Sequence, residues 1–277
     1  MRIKASRLCP TRNRRRARVR PRGSCRPENG ERLRRRPDIR DRHTGGGRCR
    51  PSRDPEGKRR LRVASVRMTD SRKAIVQSGY DAMAEQHLVW IRAIEGDPRD
   101  RFLNELARRL RDGAHVLDLG CGAGVPSTKQ LAERFDVVGV DISEEQLRLA
   151  RINVPAATFV RSDLSELKFD DAAFDGITAF YSISHVPRDE HDALFKKVAR
   201  WLRPGGFYLA SLAAVGSPDW TGEWLGVPMF FSSYDADTNR RLLEAAGLVL
   251  VLDEVVSMRE PEGEAAFLWV LAKKPER

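Results

Sequence analysis

The sequence is poor in cysteine. It has four in 277 residues, and three of them, Cys9, Cys25 and Cys49, fall in the first 67. Cys121 stands alone in the rest, so no disulfide framework and no paired thiol ligands for a metal are available. That usage fits a reducing, cytoplasmic setting and no metal site. No apolar run reaches the roughly eighteen residues of a membrane span, so no membrane role is expected. The pattern GxxxxGK followed by Ser or Thr is also missing, which removes triphosphate chemistry of the P-loop kind. Aromatic residues make up 7% of the chain, and none lies in the first 67 positions.

Charge is present but unevenly divided. Residues 1–67 carry 25 Lys and Arg against 6 Asp and Glu, whereas residues 68–277 carry 25 against 33. The overall charge of +11 therefore describes neither part. The basic part has almost no apolar periodicity and cannot bury enough surface to offset chain entropy, so disorder is expected there. Its cations are nearly all Arg, with Lys only at Lys4 and Lys58. That bias is what a translated GC-rich upstream frame would give, and Met68 is then the expected true start. Alternatively, the segment is an arm that binds nucleic acid by charge; the acidic remainder offers nucleic acid no basic stripe.

From Met68 onward, two helical patterns lead into alternating strands and helices. HVLDLG, DVVGVDI, ATFVRSD, FDGITAFYSI and FYLASLAAV read as strands with helices between them. LVLVLDEVVSM and EAAFLWVLAKK follow as two strands joined by a turn. The helix DEHDALFKKVARWLRPGG is expected to stop at Pro204 and the Gly205-Gly206 pair. Such alternation predicts an α/β fold with a parallel sheet covered on both faces. The final strand, entered through a turn, should run antiparallel at the sheet edge. Residues 213–235 break the rhythm with Trp220, Trp224, Met229 and Phe230, too apolar for a disordered loop, and are expected to cap a substrate.

The stretch VLDLGCGAGVPS, Val116–Ser127, joins a strand to a helix through Gly120, Gly122 and Gly124. A dinucleotide fingerprint needs GxGxxG, but Val125 occupies the third glycine position. Asp118 precedes the loop, and a carboxylate there would repel a pyrophosphate and attract a cationic ligand. Asp141 closes the second strand, placed to accept from both hydroxyls of a ribose. Asp163 follows the third strand, placed to accept from an exocyclic amine. The ligand these residues describe has a ribose and a positive end.

Together these motifs resemble the class I S-adenosylmethionine-dependent methyltransferases of small-molecule type over about residues 75–275. VLDLGCGAG is similar to that family's first motif, VVGVDIS to its second and RSDLSELKF to its third. FDGITAFYSISHV is similar to the segment flanking the methionine part, and WLRPGGFYLAS to the turn before the fifth strand. The resemblance implies a Rossmann-like three-layer sandwich whose seven-stranded, mainly parallel sheet has its last strand reversed. It implies S-adenosyl-L-methionine as cofactor, with S-adenosyl-L-homocysteine as product. It places Asp141 on the ribose and Ile142, Asp163 and Leu164 around the adenine. Gly120, Cys121, Gly122, Phe180 and Ser182 belong to the same cofactor site. GYDAMAEQH resembles a lid helix that brings Tyr80 to the cofactor.

Methyl transfer from a sulfonium is an in-line displacement, so alignment and water exclusion dominate and some acceptors need a base. His185 and then Tyr181 are the candidates for that role. Trp220, Trp224, Met229 and Phe230 are the candidate substrate residues, for a small, partly apolar acceptor. AFYSISH stands where amino- and base-directed members carry NPPY, so the acceptor atom (O, N or C) stays open. Two alternatives remain: an NAD(P)-dependent oxidoreductase on a similar fold, and a protein that binds the cofactor without catalysis.

Overall fold

The computed structural model describes residues 70–276. The basic segment and Met68 lie outside the described residues. The chain runs α1 (Ser71–Arg92), α2 (Arg99–Ala107), β1 (His115–Leu119), α3 (Ser127–Ala132), β2 (Asp136–Asp141), α4 (Glu144–Asn153), β3 (Thr158–Arg161) and β4 (Phe174–Phe180). It continues through α5 (His191–Trp201), β5 (Leu202–Ala213), β6 (Ser217–Trp224), β7 (Val227–Ser233), α6 (Ala236–Ala245), β8 (Val249–Glu260) and β9 (Gly263–Lys273).

Seven strands form one sheet in the order β3-β2-β1-β4-β5-β9-β8. β1 to β5 pair in parallel, and β9 runs antiparallel to both β5 and β8. Alternate residues point to opposite faces, so each strand feeds two cores. Leu117, Leu268 and Val270 join Phe195, Val198 and Trp201 of α5 on one face. Val116, Trp269 and Leu271 join Phe102, Leu103 and Leu106 of α2 on the other, with Trp269 stacked on Phe102 at 4.9 Å. The result is the expected three-layer α/β sandwich.

Two expectations need correction. The last strand is reversed, but it is not at the edge: β9 lies between β5 and β8. After β5, helix α6 delivers β8 two places away, and the tight return drops β9 into the gap. The sequence carries the sign of this. Leu268–Ala272 is a continuous apolar run and fully buried, as for a central strand, whereas Val249 and Val255 of β8 are about half exposed. Secondly, α5 ends at Trp201, and Arg203-Pro204-Gly205-Gly206 is already part of β5. A residue before proline avoids the α region, so the chain leaves the helix before Pro204 itself.

Residues 213–235 contain a β-hairpin, β6–β7, turned by Leu225 and Gly226, both at positive φ. That is the twist a two-residue hairpin prefers. The hairpin packs on α1 through a separate apolar cluster of Val76, Met83, Met229 and Phe230. At Gly79 the helix and hairpin are so close that a Cβ would lie 2.7 Å from Met229 Cε and 2.9 Å from the Pro228 carbonyl.

Candidate active site

A cavity partly open to solvent lies at the carboxyl ends of the parallel strands, where open sheets bind ligands. α1 forms its opposite wall. The glycine loop supplies the floor. Gly120 and Cys121 both donate their N–H to the Val140 carbonyl, at 2.8 and 3.0 Å, which folds the loop against β2. Gly120 has φ +74, and a Cβ there would meet Ser182 Cβ at 2.2 Å, so packing alone requires glycine. Gly122 differs: a Cβ would meet only Gln146 Oε1, at 3.7 Å, and the residue lines the cavity.

Asp141 ends β2 and accepts from Gly122 N–H at 2.9 Å and Ser143 N–H at 3.0 Å, one bond on each oxygen. A carboxylate has about four acceptor positions, so two remain for a diol. Burial still pushes its pKa up to about 6 despite those bonds. Asp118 is buried, and its oxygens accept from Thr128 Oγ1 at 2.6 Å and Thr178 Oγ1 at 2.8 Å. Desolvation raises its pKa, and the two threonine hydroxyls and then Arg99 oppose the rise. Neither threonine is evident from the sequence; Thr178 becomes a partner because β1 and β4 pair Asp118 with it in register.

Asp163 caps the short turn that holds Leu164, accepting from Ser165 N–H at 2.8 Å. Its other oxygen pairs with Lys73 of α1 at 2.9 Å, and Lys73 also reaches Glu190 at 2.9 Å. Asp163, Leu164 and Ile142 all line the cavity. Ser182 lines it too, its hydroxyl donating to the Leu119 carbonyl at 2.7 Å. Phe180 ends β4 at the same wall. Cys121 is buried with its thiol pKa pushed up, and so is inert.

Tyr80 projects from α1, its hydroxyl 2.8 Å from His185 Nε2. His185 Nδ1 is 3.0 Å from the Phe230 carbonyl. A carbonyl only accepts, so Nδ1 carries the hydrogen, Nε2 presents its lone pair, and Tyr80 donates to it. Burial lowers the His185 pKa to about 4, which keeps the ring neutral. Both ring nitrogens are thus occupied. Tyr181 faces other partners: its hydroxyl donates to Asp97 at 3.0 Å, and its ring lies 4.9 Å from the Arg99 guanidinium carbon.

The four candidate substrate residues form an outer layer instead of the cavity wall. Met229 and Phe230 are buried against α1, and Trp220 is 45% exposed. Trp224 stands edge-on to Tyr80, His87 and Trp90. Val76, His87, Trp90, Ile91 and Ile94, from α1 and its continuation, line the cavity. Sequence reasoning missed His87 and Arg99. His87 lies two helical turns from Tyr80 on the same face, which was the available signal.

A ribose-bearing, zwitterionic sulfonium fits these groups: a diol acceptor at Asp141, an open glycine at Gly122, and a buried anion near a buried cation at Asp118 and Arg99. Comparison with known proteins agrees. Residues 116–206 match the family model described as a methyltransferase domain. An O-methyltransferase of Penicillium expansum is 41% identical over 38% of this chain and 41% of its own. The 27-O-demethylrifamycin SV methyltransferase of Amycolatopsis mediterranei is 32% identical over 52% of this chain and 60% of its own. The chain thus spans about half the length of these curated relatives. Among solved structures, the 1,6-didemethyltoxoflavin-N1-methyltransferase of Burkholderia thailandensis, with S-adenosylhomocysteine bound, superposes with a TM-score of 0.58 over 78% of this chain and 94% of its own at 22% identity. Residues 116–206 are thus similar to a methyltransferase domain, within a fold shared with solved S-adenosylmethionine-dependent methyltransferases.

Proposed function

We propose that this protein transfers a methyl group from S-adenosylmethionine to a small, partly apolar molecule. The observation that carries the reading is Asp141, braced by the Gly122 and Ser143 amides, with acceptor capacity left over beside an open glycine. When bound, the cofactor supplies a methyl carbon already activated by its sulfonium. The protein's own residues then bind, orient and exclude water. Asp141 accepts from the ribose hydroxyls, Ile142 and Leu164 flank the base, and Asp163 faces its amine. α1 and the Trp224 side of the hairpin shield the cavity from water, where transfer benefits from desolvation. His185 holds its proton at Nδ1 against the Phe230 carbonyl and fixes the Tyr80 hydroxyl, so we assign it a positioning role. Tyr181, tied to Asp97, shapes the wall.

We assign the methyltransferase domain to residues 68–277, with 213–235 as an acceptor-side insert, and place the protein in the cytoplasm. Among the described residues no helix is long and apolar enough to cross a membrane. The test is incubation with methyl-labelled S-adenosylmethionine and a panel of phenols, enols, carboxylic acids and amines. Label should move to at least one acceptor with S-adenosylhomocysteine formed in equal amount. Cofactor binding with no transfer to any member would favour the non-catalytic alternative.

A further inference from the structure

His87 of α1 lines the cavity on the wall opposite the glycine loop. Gln146 is buried, and its Nε2 lies 3.3 Å from His87 Nδ1. An amide nitrogen only donates, so Nδ1 accepts and the ring hydrogen sits on Nε2. That Nε2 has no hydrogen-bond partner among the described residues. Burial, with His185 and Arg99 nearby, lowers the His87 pKa to about 4, so the ring is neutral. The other polar side chains that α1 brings to the cavity are committed: Lys73 to Asp163 and Glu190, Tyr80 to His185, and the Trp90 indole to Glu262. Around His87 the wall is flat and apolar. The Trp90 ring lies 5.9 Å away and within 18° of parallel, Tyr80 stands edge-on at 5.0 Å, and Val76, Ile91 and Ile94 complete the surface.

We propose that His87 determines acceptor specificity: its Nε2–H holds the oxygen of a planar phenol or enol, bound as its anion against the Trp90 wall. This rests on the methyltransferase reading above and names the acceptor class of that same site. The groups assigned to the cofactor lie on strand ends and loops across the cavity, so α1 faces the side of the cofactor they leave uncovered. The acceptor gives its proton to solvent as it binds. One lone pair of its oxygen takes the Nε2 hydrogen. Another forms the bond to the methyl carbon, while the carbon–sulfur electron pair returns to sulfur. A neutral ring suits this task, because an imidazolium would pass its proton to the oxygen and quench the nucleophile. A flat acceptor with one oxygen matches a flat apolar wall with one free donor.

The probe is 4-nitrophenol, whose anion has its own visible band. It is added to the S-adenosylhomocysteine complex about one pH unit below the pKa of the free phenol, where binding should raise the anion band. His87→Phe keeps a ring in the wall and removes the donor. It should abolish that rise and weaken 4-nitrophenol about tenfold, the loss of one charge-assisted hydrogen bond, with S-adenosylhomocysteine held within about twofold. 4-Nitroanisole, whose oxygen carries no charge, should bind wild type and variant alike. Should His87→Phe lose S-adenosylhomocysteine, His87→Met, which also lacks the donor, replaces it in the same comparison. Loss of S-adenosylhomocysteine in both variants would place His87 on the cofactor and overturn the proposal. A band that fails to rise in wild type, or rises equally in the variant, would overturn it too. So would a wild-type complex that holds S-adenosylhomocysteine and does not bind 4-nitrophenol. Failure of the wild-type protein to bind S-adenosylhomocysteine would instead overturn the cofactor reading itself.

Discussion

At the residue scale, the site depends on ionisable groups held out of water. His185 and His87 both have pKa values lowered from 6.5 to about 4, chiefly by burial. The folded protein therefore resists a proton that the unfolded chain accepts. Their contribution to stability is complete above about pH 6.5 and is lost as the pH falls towards 4, on the order of 3 kcal/mol for a fully buried ring. Urea unfolding from pH 7 to pH 4 should show falling stability, with a shallower fall in His185→Gln. An unchanged slope in that variant would show that His185 is not held neutral. Asp141 acts in the opposite sense. Its pKa is raised to about 6, so its desolvation cost is relieved as the pH falls from about 6 towards 3.8. On the proposed reading the ionised form of Asp141 accepts from the ribose, so S-adenosylhomocysteine affinity should drop as the pH passes below about 6. Titration at pH 5 and 7 reads this directly, and a pH-independent affinity would remove Asp141 from the ribose.

At the scale of elements, α1 is fastened over the cavity by side chains, among them the cavity-lining Lys73, Tyr80, Asp163 and His185. Lys73 pairs with Asp163 and Glu190, Asp81 accepts from Ser143 Oγ at 2.6 Å, and Tyr80 donates to His185. Lys73 and Asp163 are 12% and 6% exposed, so Lys73→Met strands a buried carboxylate. A loss of about 3 kcal/mol is expected, with faster hydrogen exchange along α1; exchange at the wild-type rate would show that the pair does not fasten the helix. Gly79→Ala tests the same contact from the hairpin side. Helix propensity favours alanine by about 1 kcal/mol, but its Cβ would strike Met229 and the Pro228 carbonyl. Net destabilisation is therefore predicted, and a rise in melting temperature would contradict the packing. The strand–helix alternation and the glycine loop were legible in the sequence because each follows a local period or spacing. The order of the elements did not settle the position of β9, since two strand orders share one alternation; only its continuous apolar run, Leu268–Ala272, marks it as central. The partners of Asp118 and Asp163 were not legible, because Thr178 and Lys73 reach them only through tertiary pairing.

For the whole molecule, the sheet explains why acidic residues distant in sequence share one cavity. Asp118 lies near the end of β1, Asp141 ends β2 and Asp163 follows β3, and each is braced by a different neighbour. The glycine-loop residues that line the cavity were legible in the sequence because loop chemistry is local. The tryptophan-bearing segment forms an outer layer, and α1 with its continuation lines the cavity. A hydrophobic insert signals burial without saying against what. The central claim is that the glycine loop and Asp141 hold an adenosyl sulfonium and not a dinucleotide. The direct measurement is calorimetric titration of S-adenosylhomocysteine and of NAD into the wild-type protein and Asp141→Asn. Saturable binding of S-adenosylhomocysteine alone, weakened at least about tenfold by the substitution, is the predicted result. Binding of NAD in its place, or S-adenosylhomocysteine binding indifferent to Asp141, would contradict the account.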